Sequence, residues 1–214
     1  ARMNKQKDRF FEIIAHDLKT PFSTLMGFSD MLVQNADNME AEKIHEYRLL
    51  INRAADEAFK LLEDLLEWSR LKLERMEYSP LEFDVADVGR SNILRYGVIA
   101  EAKNINLVNN MEQALIAHAD PRMVETVFRN LLSNAIKFTR TGGVVQVSGT
   151  DTGKHVEVSV SDNGIGMSDT RLNTLFDVSF KASTTGTAGE TGTGLGLTLC
   201  DEMIKQQGGN LKVI

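Results

Sequence analysis

The sequence has few of the features that mark secreted or membrane proteins. Cys200 is its only cysteine, so no disulfide can form within the chain, and the reducing interior of a cell is the natural compartment. We interpret Cys200 as a small apolar residue of a buried core. No run of about 18 apolar residues occurs and the N-terminal "ARMNKQKDRF" has no apolar signal core, so we expect no membrane-spanning segment.

Basic charge is also scarce. The 24 Lys and Arg residues are outnumbered by 30 Asp and Glu residues, which gives a formal net charge of -6 and argues against a protein that coats nucleic acid. An anionic ligand would therefore have to be held locally. The 214 residues, 42% of them hydrophobic, are enough for one large domain or two small ones with buried cores.

The first third of the chain carries two heptad patterns. Apolar residues step alternately by three and four from Phe11 to Leu32 and again from Ile44 to Trp68, with the polar "QNADNMEAE" between them. This spacing predicts two long helices that form a helical hairpin. Further apolar residues widen both stripes, so a second hairpin would be needed to bury them, and we predict a dimeric four-helix bundle. These widening residues are Ile13, Phe22, Met26, Leu62 and Leu66.

The pattern changes around "EYSPLEF", where Pro80 marks a break. Downstream, alternating runs predict strands, with helices between them, so we expect an α+β sandwich and a two-domain chain divided as 1–76 and 77–214. The strands are predicted at "INLVNN", "ALIAHA", "VVQVSG", "VEVSVSD" and the final "GNLKVI", and the helices at Val85 to Ala100, Pro121 to Phe138 and Leu195 to Gln207. The polar, glycine- and threonine-rich region from Met167 to Thr193 is long enough for a lid.

The stretch "FEIIAHDLKTPFSTLMGF" places a polar cluster inside the first predicted helix. His16 falls at heptad position f and should face solvent, with Lys19 and Thr20 one turn further along the same surface. Asp17 is adjacent and can orient one ring nitrogen, which leaves the other as a nucleophile. Pro21 should bend or loosen the helix at this point. On its position alone, an ordinary surface histidine remains an alternative.

The stretch "RNLLSNAIKFT" predicts a helix with a polar face. Asn130, Asn134, Lys137 and Phe138 recur at helical spacing, while the leucines and other apolar residues between them can point inward. An asparagine oxygen suits Mg²⁺ together with phosphates, and a lysine supplies a positive charge for a phosphate. An amphipathic surface helix without a ligand is the alternative.

Two glycine-rich stretches follow. In "VEVSVSDNGIGM", Asp162 at a strand end can accept a hydrogen bond from an exocyclic amine, and glycines allow a ligand to approach closely, although a plain hairpin turn is also possible. In "GTGLGLTLC", glycines lead into an apolar helix whose N-terminus can bind phosphate. Neither stretch has the spacing of a P-loop or a Rossmann fingerprint.

Together these stretches resemble sensor histidine kinases of two-component signalling. "AHDLKTP" is similar to the H-box of the subclass with a dimeric hairpin, and the three downstream stretches are similar to the N, G1 and G2 boxes of the ATP-binding (Bergerat, or GHKL) fold shared with gyrase, Hsp90 and MutL. The resemblance covers nearly the whole chain. It implies phosphorylation of His16 by ATP with Mg²⁺, then transfer to an aspartate of a response-regulator receiver domain.

The resemblance also implies roles for single residues. Asp17 would accept the proton of His16, Thr20 would position water for dephosphorylation of the regulator, and Asn134 would ligate Mg²⁺. The nucleotide would be bound by Asn130, Lys137, Phe138, Asp162, Gly164, Gly166, Gly192, Gly194, Leu195 and Gly196. The sequence departs from the family at the F-box, where Phe176 and Phe180 are separated by three residues instead of two.

Two alternatives stay open on the residues. A gyrase- or Hsp90-type ATPase would need the nucleotide boxes and not His16, and a scaffold would dimerise or bind ATP without transferring phosphate. His45, His118 and His155 lack partners at ligand spacing and are interpreted as surface or structural histidines. We expect the chain to be the cytosolic part of a longer protein, and membrane anchoring of the intact protein through upstream segments remains open.

Overall fold

The computed structural model describes residues 2–72, 78–176, 184–190, 192 and 194–214. Within these ranges, the side chains of residues 2–14, 16, 36, 64, 67, 68 and 70–72 lie outside the description. The chain forms two compact units, Ala1–Leu73 and Glu74–Ile214. The predicted domain boundary lies between residues 76 and 77. Residues 73–77 are outside the described residues, so this boundary stays a prediction.

The first unit is the predicted helical hairpin. Helix α1 spans Arg2–Asn35 and helix α2 spans Ala41–Lys72, with a 3₁₀ turn at Ala36–Asn38 between them. The helices pack along the predicted seam, where the rings of Phe28 and Tyr47 lie 4.9 Å apart between centroids. Helix α1 continues through Pro21, which is buried.

The hairpin leaves part of its apolar surface in water. Ala54, Ala58 and Leu61 are buried in the seam, whereas larger side chains beside the seam are exposed. We call these side chains the outer stripes: Phe22, Met26 and Val33 on α1, and Phe59, Leu62 and Leu66 on α2. Four of the five predicted widening residues belong to them, and the side chain of the fifth, Ile13, lies outside the described residues. The side chains of Phe11, Ile14 and Trp68, which were predicted in the seam, also lie outside the described residues.

The second unit is the predicted α+β fold. Its described residues form two small sheets: β1 pairs with β3 in antiparallel fashion, and β4 lies between β2, its parallel neighbour, and β5, its antiparallel neighbour. In chain order its elements are β1 Leu81–Asp84, α3 Val85–Ala102, β2 Asn106–Asn109, β3 Ile116–Ala119, α4 Pro121–Phe138, β4 Val144–Asp151, β5 Val156–Asp162, α5 Asp169–Thr174 and α6 Gly196–Gln206.

Apolar side chains from the strands and helices of this unit pack into one core. In β4, Val145 and Val147 are fully buried while Gln146 between them is exposed, as a two-residue period requires. Helix α4 adds Phe128 and Leu132 to the same cluster, which also joins residues of α3 and β2. Cys200 is buried on α6, as predicted.

Some sequence predictions differ from the structure. Residues 209–214, predicted as a strand from the alternation in "GNLKVI", have no regular secondary structure, so that prediction is wrong; none of the described strands pairs with them, and a strand needs a hydrogen-bonded neighbour. Helix α6 begins at Gly196, one residue later than predicted, because Leu195 is its N-cap. The short elements β1 and α5 were not predicted.

Candidate functional site

Helix α4 is the platform of the candidate nucleotide site. Asp120 caps its N-terminus by accepting a hydrogen bond from the Arg122 N–H at 2.9 Å, and Pro121 occupies the first turn. The helix then buries one face, including Leu132, Ala135 and Ile136, against the core. The predicted ligand-binding residues of this helix are half-buried: Asn130, Asn134, Lys137 and Phe138.

The turn after β5 is docked on the C-terminal end of α4. Asp162 Oδ1 accepts the N–H of Gly164 at 2.9 Å, and the N–H of Ile165 donates to the Phe138 carbonyl at 3.1 Å. A Cβ on Gly164 would overlap that carbonyl, so only glycine fits there, and Gly166 has a φ of +65°. The exposed Asp162 carboxylate is thereby fixed beside α4.

The second glycine-rich segment lies against the polar face of the same helix. A Cβ on Gly192 would lie 2.5 Å from Lys137 Nζ, and a Cβ on Gly196 would lie 2.5 Å from Asn130 Oδ1. Glycine at these two positions lets the backbone approach both polar side chains closely. Gly194 has a φ of +69°, a conformation that glycine adopts readily.

Helix α6 starts at this segment, with Gly196 as its first residue. Its N-cap, Leu195, is buried and gives no side-chain hydrogen bond to the first turn. Backbone N–H groups at a helix N-terminus can donate hydrogen bonds to phosphate oxygens. The Lys137 ammonium, 4.8 Å from the centroid of the Phe138 ring, adds a positive charge nearby.

Groups from two distant parts of the chain donate hydrogen bonds to the carbonyl oxygens at the C-terminal end of α4. Lys103 Nζ donates to the carbonyl oxygens of Ile136 and Lys137 at 2.8 and 3.0 Å. The backbone N–H of Thr187 also donates to the Lys137 carbonyl oxygen, at 3.0 Å. Glu190 joins them through Lys103, at 2.6 Å. Sequence reasoning missed Lys103 and Glu190, because both are common surface residue types outside any recognisable motif.

The predicted phosphoacceptor residues belong to the other unit. His16, Asp17 and Thr20 all lie on α1, where Asp17 is half-buried and Thr20 is exposed. The Thr20 carbonyl accepts the Thr24 hydroxyl at 3.1 Å. The side chain of His16 lies outside the described residues, so its predicted solvent-facing orientation stays a prediction.

The described residues contain no group of three or more His, Cys, Asp and Glu side chains that could hold a metal ion. Asn134, half-buried on the polar face of α4, offers one amide oxygen, which fits a Mg²⁺ ion whose remaining ligands are phosphates and water.

The predicted lid from Met167 to Thr193 is described in part. It contains α5, and the Arg171 guanidinium hydrogen-bonds to the Thr184 hydroxyl. Of the two predicted F-box residues, Phe176 is half-buried and Phe180 lies outside the described residues. His45, His118 and His155 are exposed, and none of the described helices is long and apolar enough to cross a bilayer.

Comparison with known proteins gives two family matches. Residues 6–74 match the His Kinase A (phospho-acceptor) domain. Residues 119–214 match the histidine kinase-, DNA gyrase B-, and HSP90-like ATPases. The two matched ranges contain the predicted phosphoacceptor residues and the predicted nucleotide-binding residues, respectively.

Individual relatives agree with these matches. The chain is 29% identical over 212 residues to an uncharacterized sensor-like histidine kinase of Rhizobium meliloti, covering 98% of this chain and 40% of that protein. It is 29% identical over 213 residues to the sensor histidine kinase RcsC of Escherichia coli, covering 98% of this chain and 22% of RcsC. The chain thus spans less than half of either relative.

A solved structure shares the fold. Histidine kinase ThkA, in complex with the response regulator protein TrrA, matches with a TM-score of 0.73 and 22% sequence identity over 96% of this chain and 58% of that one.

Proposed function

Because this chain belongs to the sensor histidine kinases, with a His Kinase A domain and a histidine kinase-type ATPase domain, we propose that it transfers the γ-phosphoryl group of ATP to His16 and then to a response regulator. The observation that supports this most directly is the pair of glycines, Gly192 and Gly196, seated against Lys137 and Asn130. A side chain at either position would fill the space in which phosphate oxygens can meet the ammonium and the amide.

Different residues of the second unit would bind the adenine and the phosphates of the nucleotide. Asp162, fixed by its own turn, would accept a hydrogen bond from the adenine amine, with Gly164 and Gly166 allowing the base to approach the backbone. Phosphates would lie at the other end of the site. Asn130 and Lys137 would contact them, and Gly192, Gly194 and Gly196 would shape the pocket and lid. Phe138 and Leu195 are proposed as further nucleotide-binding residues.

Asn134 would be the protein ligand of a Mg²⁺ ion that it shares with the phosphates. When bound, that ion supplies positive charge that offsets the charge of the transferring group. Lys137 would contribute a second, fixed positive charge at the same phosphates.

The transfer itself uses residues of α1. A lone pair of a His16 ring nitrogen forms a bond to the γ-phosphorus while the bond to the bridging oxygen breaks, and ADP leaves with that oxygen. The proton on the other ring nitrogen passes to Asp17, which also orients the ring. Alignment and charge neutralisation supply most of the rate acceleration in such reactions.

The second transfer needs a partner protein. An aspartate of a receiver domain would attack the phosphorus on His16, so that an acyl phosphate forms while the phosphorus–nitrogen bond breaks. The proton held by Asp17 would return to the ring and restore the neutral histidine. The likeness of the fold to a kinase in complex with a response regulator supports this class of partner. The exposed outer stripes support a homodimer through the hairpin, because a second hairpin would cover them.

The first experiment is an intact-mass measurement of the chain after incubation with Mg²⁺-ATP. We expect one added phosphoryl group, removed by brief acid because a phosphorus–nitrogen bond is acid-labile, and no addition to the His16→Gln variant. Steady phosphate release without any phosphoenzyme would instead indicate an ATPase of the gyrase or HSP90 type. ATP binding with neither result would indicate a scaffold, and both outcomes contradict the proposal.

Thr20 is proposed to act in the reverse direction, by positioning water for dephosphorylation of the regulator. Thr20 is exposed on α1, one turn from His16. We expect Thr20→Ala to keep autophosphorylation while it slows release of phosphate from a phosphorylated receiver domain. Equal loss of both activities would contradict this division of roles.

A further inference from the structure

Lys103 and Glu190 form an ion pair at the carbonyl end of α4. The distance from Lys103 Nζ to Glu190 Oε1 is 2.6 Å, and the Lys103 side chain is only 10% exposed. An ammonium group has three protons, and here each has an acceptor: Glu190 and the carbonyl oxygens of Ile136 and Lys137. Carbonyls in the last turn of a helix lack partners within the helix, so Lys103 completes the end of α4.

Glu190 uses its second carboxylate oxygen and its backbone to close a turn. Oε2 accepts the N–H of Ala188 at 2.8 Å, and the Glu190 carbonyl accepts the N–H of Gly186 at 2.7 Å. Burial alone would raise the pKa of Glu190, but the hydrogen bonds from Lys103 and the backbone outweigh it and lower the pKa below its ordinary value. The carboxylate is therefore ionised at neutral pH.

The closed turn also holds the side chain of Lys137. A Cβ on Gly186 would overlap Glu190 Oε2 and would lie 2.6 Å from Lys137 Cγ, so both side chains rest against this glycine. The far end of the same lysine side chain lies against Gly192. Glu190 thus reaches the proposed phosphate site through Gly186 and the stem of Lys137, without belonging to that site.

We propose that Lys103 and Glu190 are positioning residues that set the Lys137 ammonium beside Gly192 for binding the phosphates of a nucleotide. This inference rests on the proposed function of the site. The proposed adenine end depends on different contacts, since the turn at Gly164 is held by Asp162 and the Phe138 carbonyl. Loss of the ion pair should therefore weaken nucleotide binding, and the loss of affinity should grow with the number of phosphates that the nucleotide carries.

The sign of the effect separates positioning from simple electrostatics. Removing the negative charge of Glu190 near the site would, through space, favour an anionic ligand. Removing the positioning contact would disfavour it. Glu190→Gln changes the charge and almost nothing of the shape, so the two explanations give opposite results for ATP.

The test measures binding of AMP, ADP and ATP, each with Mg²⁺, to the whole chain by calorimetry. For Glu190→Gln and Lys103→Met we expect ATP to bind about tenfold more weakly, the effect of losing one hydrogen bond between charged groups, with AMP within about twofold. The matched control is Glu125→Gln on α4, which removes the same charge from an exposed pair with Arg95 of α3. It should leave all three affinities unchanged.

Several outcomes would overturn the inference: unchanged or tighter ATP binding by Glu190→Gln, or equal weakening of AMP and ATP. Lys103 is enclosed, so Lys103→Met can unfold the unit; Glu190→Gln, on a side chain 35% exposed, keeps the test decisive. If the two residues act as one pair, the ATP affinity of the double variant should be no lower than that of the single variant with the lower affinity. If the wild-type chain phosphorylates His16 while the variants bind normally, only this inference fails; absence of phosphoenzyme in the wild type contradicts the proposed function instead.

Discussion

In the described part of the hairpin, the buried apolar side chains are those of Pro21, Ala54, Ala58 and Leu61, whereas the second unit completely encloses residues as large as Met123 and Leu132. The hairpin also exposes long rows of apolar residues in its outer stripes. Removing one such large side chain from water is worth about 1.5–3 kcal/mol. The stability of the hairpin should therefore depend on a covering surface, while the second unit carries its own core.

The largest expected effect comes from placing a charge in an outer stripe. Phe59 is 61% exposed on α2, and Phe59→Glu would put a carboxylate into the proposed dimer interface twice, once from each copy. We expect dimer affinity to fall at least about 100-fold, measured by sedimentation equilibrium, because both apolar contacts are lost and two like charges face each other. Leu94→Glu is the control, since Leu94 is 78% exposed on α3 of the other unit. A Phe59→Glu dimer of normal affinity would show that another surface is used.

The next effect concerns the core of the second unit. Leu132 is completely buried on α4, and Leu132→Ala should destabilise this unit by about 2–5 kcal/mol through lost burial and an unfilled cavity. In urea unfolding followed by separate probes, only the transition of the second unit should shift. If the hairpin transition moves by the same amount, the two units unfold together and the comparison drawn above is wrong.

A smaller effect is expected at the N-cap of α3. Asp84 Oδ1 accepts the N–H groups of Leu115 and Ala86 at 2.8 and 2.9 Å, and Asp84→Ala should cost about 0.5–2 kcal/mol. The hydrogen bond from Leu115 is the main cause that lowers the pKa of Asp84, helped by Ala86 and Arg90 against the opposing effect of burial.

The same residue predicts a pH dependence. Because its pKa in the folded protein lies below the ordinary 3.8, its contribution is present above that pH and is lost as the pH falls through the folded value. The difference between wild type and Asp84→Ala, measured by urea unfolding, should be full at pH 7 and shrink in acid. A difference that stays constant down to acid pH would contradict the role of the charge.

The smallest effect belongs to the exposed pair of Arg95 and Glu125. Their charged atoms lie 3.7 Å apart and both side chains are exposed, by 63% and 49%, so Glu125→Gln should change the free energy of unfolding by less than about 0.5 kcal/mol. Urea unfolding of the second unit measures it. A loss as large as that of Asp84→Ala would mean that surface charge, and not the core and caps, stabilises this unit.

The sequence predicted those parts of the fold that local patterns determine. Helix α4 has the predicted bounds because Asp120 and Pro121 mark its start and a regular apolar period follows. The four-residue strand β1 was missed, because it is defined by its pairing with β3 and carries little alternation of its own. Conversely, alternation at residues 209–214 predicted a strand that has no described neighbour to pair with.

The candidate site shows the same limit. The polar face of α4 could be predicted from helical spacing alone, since Asn130 and Lys137 share one side of a single helix. Which glycine meets which side chain is a tertiary fact, as the contact of Gly192 with Lys137 illustrates. The pair of Lys103 and Glu190 joins segments far apart in the chain, so no local pattern indicates it.

The parallel pairing of β2 with β4 has a consequence for the order in which the chain folds. Asn106 pairs with Val144, so this sheet cannot close until β3, α4 and β4 have all been synthesised. The hairpin, in contrast, contains only neighbouring helices and is complete by Lys72. Local contacts form faster than distant ones, so a nascent chain should expose a finished hairpin, with its outer stripes open to another nascent chain, while the nucleotide-binding unit is still unfolded.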